Sequence, residues 1–152
     1  MTRAHLILVA ALGSAALLAG AFTFQAFGYA PCHLCLLQRW PHAAAVVIGA
    51  IALMIGGWLL PMLGAAAALT TAGIGLYHTG VERHWWQGPT TCTSSSVEGV
   101  DPTDLLNQIL AAPIVRCDEV AWQLMGISMA SWNMLASLVL VFIWIAATRR
   151  DV

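Results

Sequence analysis

Lysine is absent from this chain of 152 residues, and charged side chains of either sign make up only 9% of it, against about 25% in an ordinary soluble domain. Six arginines and a formal charge of -1 cannot build a surface that tracks phosphates, so nucleic acid is excluded as a partner. Charge is also too sparse, and apolar content too high, for a disordered chain. With 60% hydrophobic residues and a mean hydropathy of +0.80, a water-soluble globule is excluded as well, because much of the surface must face lipid. What is present is one domain's length of chain, with seven tryptophans and four cysteines.

The apolar runs set the architecture. Leu6 to Phe27 carries no charged side chain, and at the helical rise it reaches about 33 Å, enough to cross a hydrocarbon core of about 30 Å. Further spans are expected over about 43–60, with entry as early as Cys35 possible, over about 62–80 and over about 127–147, with a tight turn at Trp58 to Pro61. Four spans place both termini on one side. The first run is longer than the core of a cleavable signal, which favours a retained anchor. Gly49, Gly56, Gly64, Gly73 and Gly75, with Ala65 to Ala68, suit close helix packing where lipid gives no hydrophobic drive. Trp40, Trp58, Trp85, Trp86 and Trp122 fall near span ends, as in an aromatic belt, and Trp132 and Trp144 fall inside the last span. Arginines divide three and three between the two sides, so orientation rests on the cysteines.

Cys32 and Cys35 form Cys-His-Leu-Cys after the first span, and Cys92 and Cys117 lie between the third and fourth. All four reach the face opposite the termini, which suits disulfides in an oxidising compartment such as the bacterial periplasm. Inert staples are one reading, although a Cys-x-x-Cys loop is so short that it removes little chain entropy. Zinc would prefer a second close pair, whereas 24 residues separate Cys92 from Cys117; covalent haem needs a histidine where Leu36 stands. Thiol–disulfide exchange fits the flanks best. Cys35 near a helix start would meet unpaired N–H groups, and Arg39 one turn on would favour a thiolate, or snorkel to the interface instead. Pro41 requires that the helix begin late or be disturbed there. Asp101 to Leu110 reads as a short amphipathic helix, capped by Asp101 with Pro102 at its first position, lying on the membrane or on the bundle top.

Four spans, Pro31-Cys32-x-x-Cys35 entering the second, Arg39, and a cysteine pair before the fourth together resemble the disulfide bond formation protein B (DsbB) family over nearly the whole length. The resemblance implies an all-α, four-transmembrane-helix bundle in a single domain over 1–152, with a long periplasmic loop at about 81–126, in the bacterial inner membrane with cytoplasmic termini. It implies a quinone-dependent thiol–disulfide oxidoreductase that reoxidises a periplasmic DsbA-like thioredoxin-fold protein; that such a system keeps the periplasm oxidising is general knowledge of the family. In the implied relay the partner attacks Cys92 of a Cys92–Cys117 disulfide. Cys117 then attacks Cys32, and Cys35 is released beside a ubiquinone or menaquinone held by Cys35, Arg39 and His78. His84 is a weaker quinone-side candidate, Glu82 has no clear role, and no metal is implied. Two other readings remain: a vitamin K epoxide reductase-like quinone reductase, whose Cys-x-x-Cys follows its loop pair rather than preceding it, and a non-catalytic membrane scaffold with stapled loops.

Overall fold

The computed structural model describes residues 1–89, 101, 110 and 115–150. The expected helix at Asp101 to Leu110, and Cys92, lie outside the described residues apart from Asp101 and Leu110 themselves. The fold is all-helical in its main elements: α1 spans Arg3–Ala26, α2 His33–Met54, α3 Leu59–Glu82 and α4 Met129–Thr148. Each of the four is long and apolar enough to cross a membrane. Leu12, Val47, Leu69 and Phe142 stand exposed on the outer faces, where a bilayer replaces water as solvent.

Helix ends explain where the connections fall. Thr2 caps α1, its hydroxyl oxygen accepting from the His5 N–H at 3.4 Å, and Gly28, with φ of +95°, ends it. There Tyr29 N–H bonds to Phe24 O at 3.1 Å and Gly28 N–H to Gln25 O at 3.0 Å, a Schellman motif that needs a left-handed residue. Its usual apolar contact is the Phe24–Tyr29 ring pair, with centroids 5.8 Å apart, and Trp122 adds a second ring 4.9 Å from Phe24.

Two boundaries differ from the sequence reading. α2 begins at His33, close to the early entry at Cys35 rather than at Ala43, and it stops at Met54, so the α2–α3 connection covers 55–58 and Pro61 sits within the first turn of α3. Hydropathy misplaced the start because Gln38, Arg39 and His42 lower the local average, yet all three find partners inside the protein. Pro41 lies in the helix interior and leaves the Leu37 carbonyl without its usual donor. One residue along, the Thr71 hydroxyl donates to the Gln38 carbonyl at 3.2 Å, so α3 supplies polar contact at the disturbed turn.

The core is a notch filled by one large ring. Trp144 is fully buried among Ile7, Ala10, Ala68 and Ala147. A Cβ at Gly64 would lie 2.6 Å from its indole, so only glycine allows α3 to approach α4 there. The Arg3 guanidinium donates to the Gly57 carbonyl, which fixes the N-terminus and the α2–α3 turn at the same end of the bundle. Ahead of α4 stands a feature the sequence reading did not include. It is a two-stranded antiparallel hairpin, β1 Gln123–Leu124 with β2 Ile127–Ser128, closed by Met125 and Gly126 at φ of 54° and 74°, the two positive angles of a type I′ turn.

Candidate functional site

The hairpin and the end of α3 converge on the start of α2. Ser128, the N-cap of α4, accepts from the Ser131 N–H at 3.2 Å, and its hydroxyl donates to Glu82 Oε2. α3 ends in a second Schellman arrangement, with Trp85 N–H on Gly80 O at 2.8 Å and His84 in the left-handed position at φ of 57°. Trp86 then folds back over Gly80, its indole N–H on the Tyr77 carbonyl at 2.9 Å. Together these contacts hold the last turn of α3, with His78 and Glu82, against the cysteines.

Cys32 is the N-cap of α2, and its sulfur accepts from the Cys35 N–H at 3.2 Å. The sulfur that meets the helix N-terminus is therefore that of Cys32, not of Cys35 as the spacing suggested, because an N-cap side chain reaches the third N–H of the helix whereas Cys35 already lies within the first turn. The two sulfurs are 2.6 Å apart. The shared hydrogen bond with Cys35, and then burial, push the Cys32 thiol well above the ordinary thiol range, since ionising both would set two anions in contact. Cys117 is fully buried in one cluster with Cys32, Leu34 and Val81, against which Cys35 and Val115 also pack. Its segment is fastened by Arg116, which binds Asp118 through two bonds of 3.0 and 2.6 Å and Glu119 at 3.2 Å.

Arg39 stands one turn beyond Cys35. It donates to Gln25 Oε1 at 2.8 Å and to Ala21 O at 3.4 Å and lies 4.8 Å from the centre of the Phe22 ring, so it is tied to α1. Its Nε is buried without a partner. Cys35, Arg39, His78 and Glu82 border a cavity of about 390 Å³ whose other walls include Leu17, Phe24, Tyr29, Trp122 and Trp132. His84 is not among its walls.

A buried polar chain runs inward from Cys32. His78 Nε2 is 3.6 Å from Cys32 Sγ and 3.8 Å from Glu82 Oε1, and its Nδ1 is 3.0 Å from Gln38 Nε2. Gln38 Oε1 accepts from Asn133 Nδ2 at 2.7 Å, and Asn133 Oδ1 meets His42 Nε2 at 2.9 Å. The sequence reading missed Gln38, His42 and Asn133. The signal was present, because polar side chains within a span face the bundle interior by default. The donor atoms of Cys32, Cys35 and His78 lie within 4.8 Å of one another, close enough to share a metal ion.

Four membrane-capable helices, a cysteine pair at the start of the second, and a third cysteine buried against that pair define a multi-pass membrane protein with its three described thiols gathered at one end. The family model described as disulfide bond formation protein DsbB matches residues 3–147, and the chain belongs to that family, which makes it a disulfide-generating membrane oxidoreductase. It is also 28% identical over 120 residues to the uncharacterized protein RP370 of Rickettsia prowazekii, covering 76% of this chain and 69% of that protein. No solved structure matches it.

Proposed function

We propose that the protein reoxidises a periplasmic, DsbA-like thioredoxin-fold protein and passes the electrons through its two cysteine pairs to a membrane quinone. The observation that carries this reading is the burial of Cys117 against Cys32 while Cys35 faces the cavity beside Arg39. The partner thiolate attacks Cys92 of a Cys92–Cys117 disulfide, forming a mixed disulfide and releasing Cys117 as a thiolate; the second partner thiol then resolves the mixed disulfide and leaves the partner oxidised. Cys117 attacks Cys32 of a Cys32–Cys35 disulfide, so a Cys32–Cys117 bond forms, the Cys32–Cys35 bond breaks and the electron pair stays on Cys35. Two-electron exchange runs throughout between thiolate and disulfide sulfurs.

The cavity residues fit a quinone. Its walls are apolar rings and aliphatic side chains, the polar groups gather at the cysteine end, and the Arg39 Nε is a buried donor still lacking an acceptor, which a ring carbonyl provides. Cys35 and Arg39 would hold the ring, with His78 in the cavity wall beside them, and a bound quinone supplies the two-electron oxidising capacity that closes the cycle. The fixed charge of Arg39 favours Cys35 as a thiolate. The shared end of Arg3 and the α2–α3 turn, opposite the cysteines, supports cytoplasmic termini and periplasmic cysteines in a bacterial inner membrane.

The test is covalent trapping. With a thioredoxin-fold partner whose second active-site cysteine is replaced by Ser, a mixed disulfide to Cys92 is expected to accumulate on the unsubstituted chain, because the partner thiol that would resolve it is gone. A Cys117→Ser protein that oxidises the intact partner at the unsubstituted rate removes Cys117 from the route.

A further inference from the structure

The directions of the hydrogen bonds in the buried chain are fixed by two backbone carbonyls. Gln38 Nε2 is 3.2 Å from the Leu34 carbonyl, which can only accept, so the amide NH2 points there and toward His78 Nδ1. Thr71 must spend its proton on the Gln38 carbonyl, so its oxygen accepts from Asn133 Nδ2 at 3.1 Å. That orients the Asn133 amide, whose Oδ1 then faces His42 Nε2. Every bond runs the same way: His42 Nε2–H to Asn133, Asn133 to Gln38, Gln38 to His78 Nδ1. Since Nδ1 accepts, neutral His78 carries its proton on Nε2, which faces Cys32 Sγ at 3.6 Å with Glu82 Oε1 beside it at 3.8 Å.

We infer that His78 is the hydrogen-bond donor to the Cys32 sulfur, and that Gln38 and Asn133 are positioning residues that lock the imidazole proton on the side facing that sulfur. The inference rests on the reading of Cys32–Cys35 as a working redox pair and adds what tunes it. Glu82 and the Cys117 backbone face the same proton; the other Glu82 oxygen is already held by Ser128, which keeps the carboxylate turned toward the hairpin, and the Cys117 backbone shares the donor with the Cys32 sulfur. The Cys32 sulfur thus receives two N–H groups, from Cys35 and from His78. In the reduced pair one proton lies between the two sulfurs, so the remaining negative charge is shared across them, and N–H donors on Cys32 stabilise it more than they stabilise a disulfide; they favour the reduced pair and make the disulfide the stronger oxidant. A lone pair at Nε2 would do the reverse. The same wiring weighs against a metal on Cys32, Cys35 and His78, because a proton occupies the nitrogen that would bind it.

The test uses the full chain in lipid nanodiscs, equilibrated with reduced and oxidised dithiothreitol, with the Cys32–Cys35 state read by alkylation and peptide mass. His78→Leu is expected to shift the equilibrium about tenfold toward the disulfide, or about 30 mV for a two-electron couple. His78→Gln, whose amide NH2 falls near the Nε2 position, should restore it to within about threefold of the unsubstituted value. In ¹⁵N-histidine spectra the His78 signals, identified by their loss in His78→Gln, should show an unprotonated Nδ1, and Gln38→Glu should move a proton onto it. Unprotonated Nε2 in the original protein, or a folded His78→Leu with an unshifted equilibrium, overturns the inference. Failure of Cys32–Cys35 to exchange at any dithiothreitol ratio refutes instead the redox reading beneath it.

Discussion

Replacing Asn133 by Leu keeps the bulk of the side chain and deletes its polar atoms. In the structure that amide joins three helices: it binds Gln38 at 2.7 Å and His42 at 2.9 Å on α2, and Thr71 at 3.1 Å on α3, from its own place on α4. In a soluble core each orphaned partner would cost about 1–3 kcal/mol. Within a bilayer the unfolded helices also find partners, and interhelical hydrogen bonds average about 0.6 kcal/mol with a maximum near 1.7. Three such bonds therefore give a loss of about 2 kcal/mol, large against the few tenths expected at the lipid-facing position Phe142, which is 70% exposed on the same helix. The measurement is reversible unfolding in mixed micelles by titration with a denaturing detergent, with Phe142→Leu as the control. A loss below about 0.5 kcal/mol would show that the three partners re-pair on their own, and a loss above about 5 kcal/mol would show that the bilayer average does not govern this site.

Arg39→Ala should slow turnover most at limiting quinone, because the residue that borders the cavity beside Cys35 loses its charge; unchanged kinetics at every quinone concentration would make Arg39 an interfacial anchor only. Gly64→Ala should cost about 1–3 kcal/mol by overpacking, since its Cβ would meet three atoms of the Trp144 ring at 2.6 to 2.8 Å, and Trp144→Phe should recover part of the loss in the same unfolding assay. The hydrogen bonds from Arg116 hold the Asp118 carboxyl below the usual carboxylate range, against the opposing effect of partial burial. A depressed folded value stabilises the paired segment above the unfolded value and gives up that stability as pH falls through the folded one. Acidification below the ordinary carboxylate range should accordingly speed reaction of reduced Cys117 with a dithiodipyridine, a thiol reagent that still works in acid where thiolate-dependent alkylation stops, and Asp118→Asn should remove that pH dependence.

Much of the fold could be read in the sequence because the bilayer is a simple solvent. A run of apolar residues long enough to cross it has to be helical to satisfy its own backbone, and α1 and α4 fall close to where hydropathy puts them. α2 does not, because hydropathy scores a side chain by its type and takes no account of its partners. Gln38, Arg39 and His42 look like interface residues until α1, α3 and α4 are seen to supply their hydrogen bonds. The hairpin ahead of α4 was missed for a different reason. Met125-Gly126 is an unusual pair for a type I′ turn, and two-residue strands leave no periodicity to detect.

Composition and spacing alone determined the class of protein, the number of spans and the grouping of Cys32, Cys35 and Cys117 at one end, since each follows from counting residues against a bilayer of fixed thickness. The tertiary structure alone decided that Cys117 lies buried against Cys32, that Cys32 rather than Cys35 caps α2, and that His78 faces a sulfur with its tautomer set from two other helices. Those outcomes depend on which atoms of distant residues meet in three dimensions. An imidazole oriented by an amide forty residues away along the chain has no signature in local sequence.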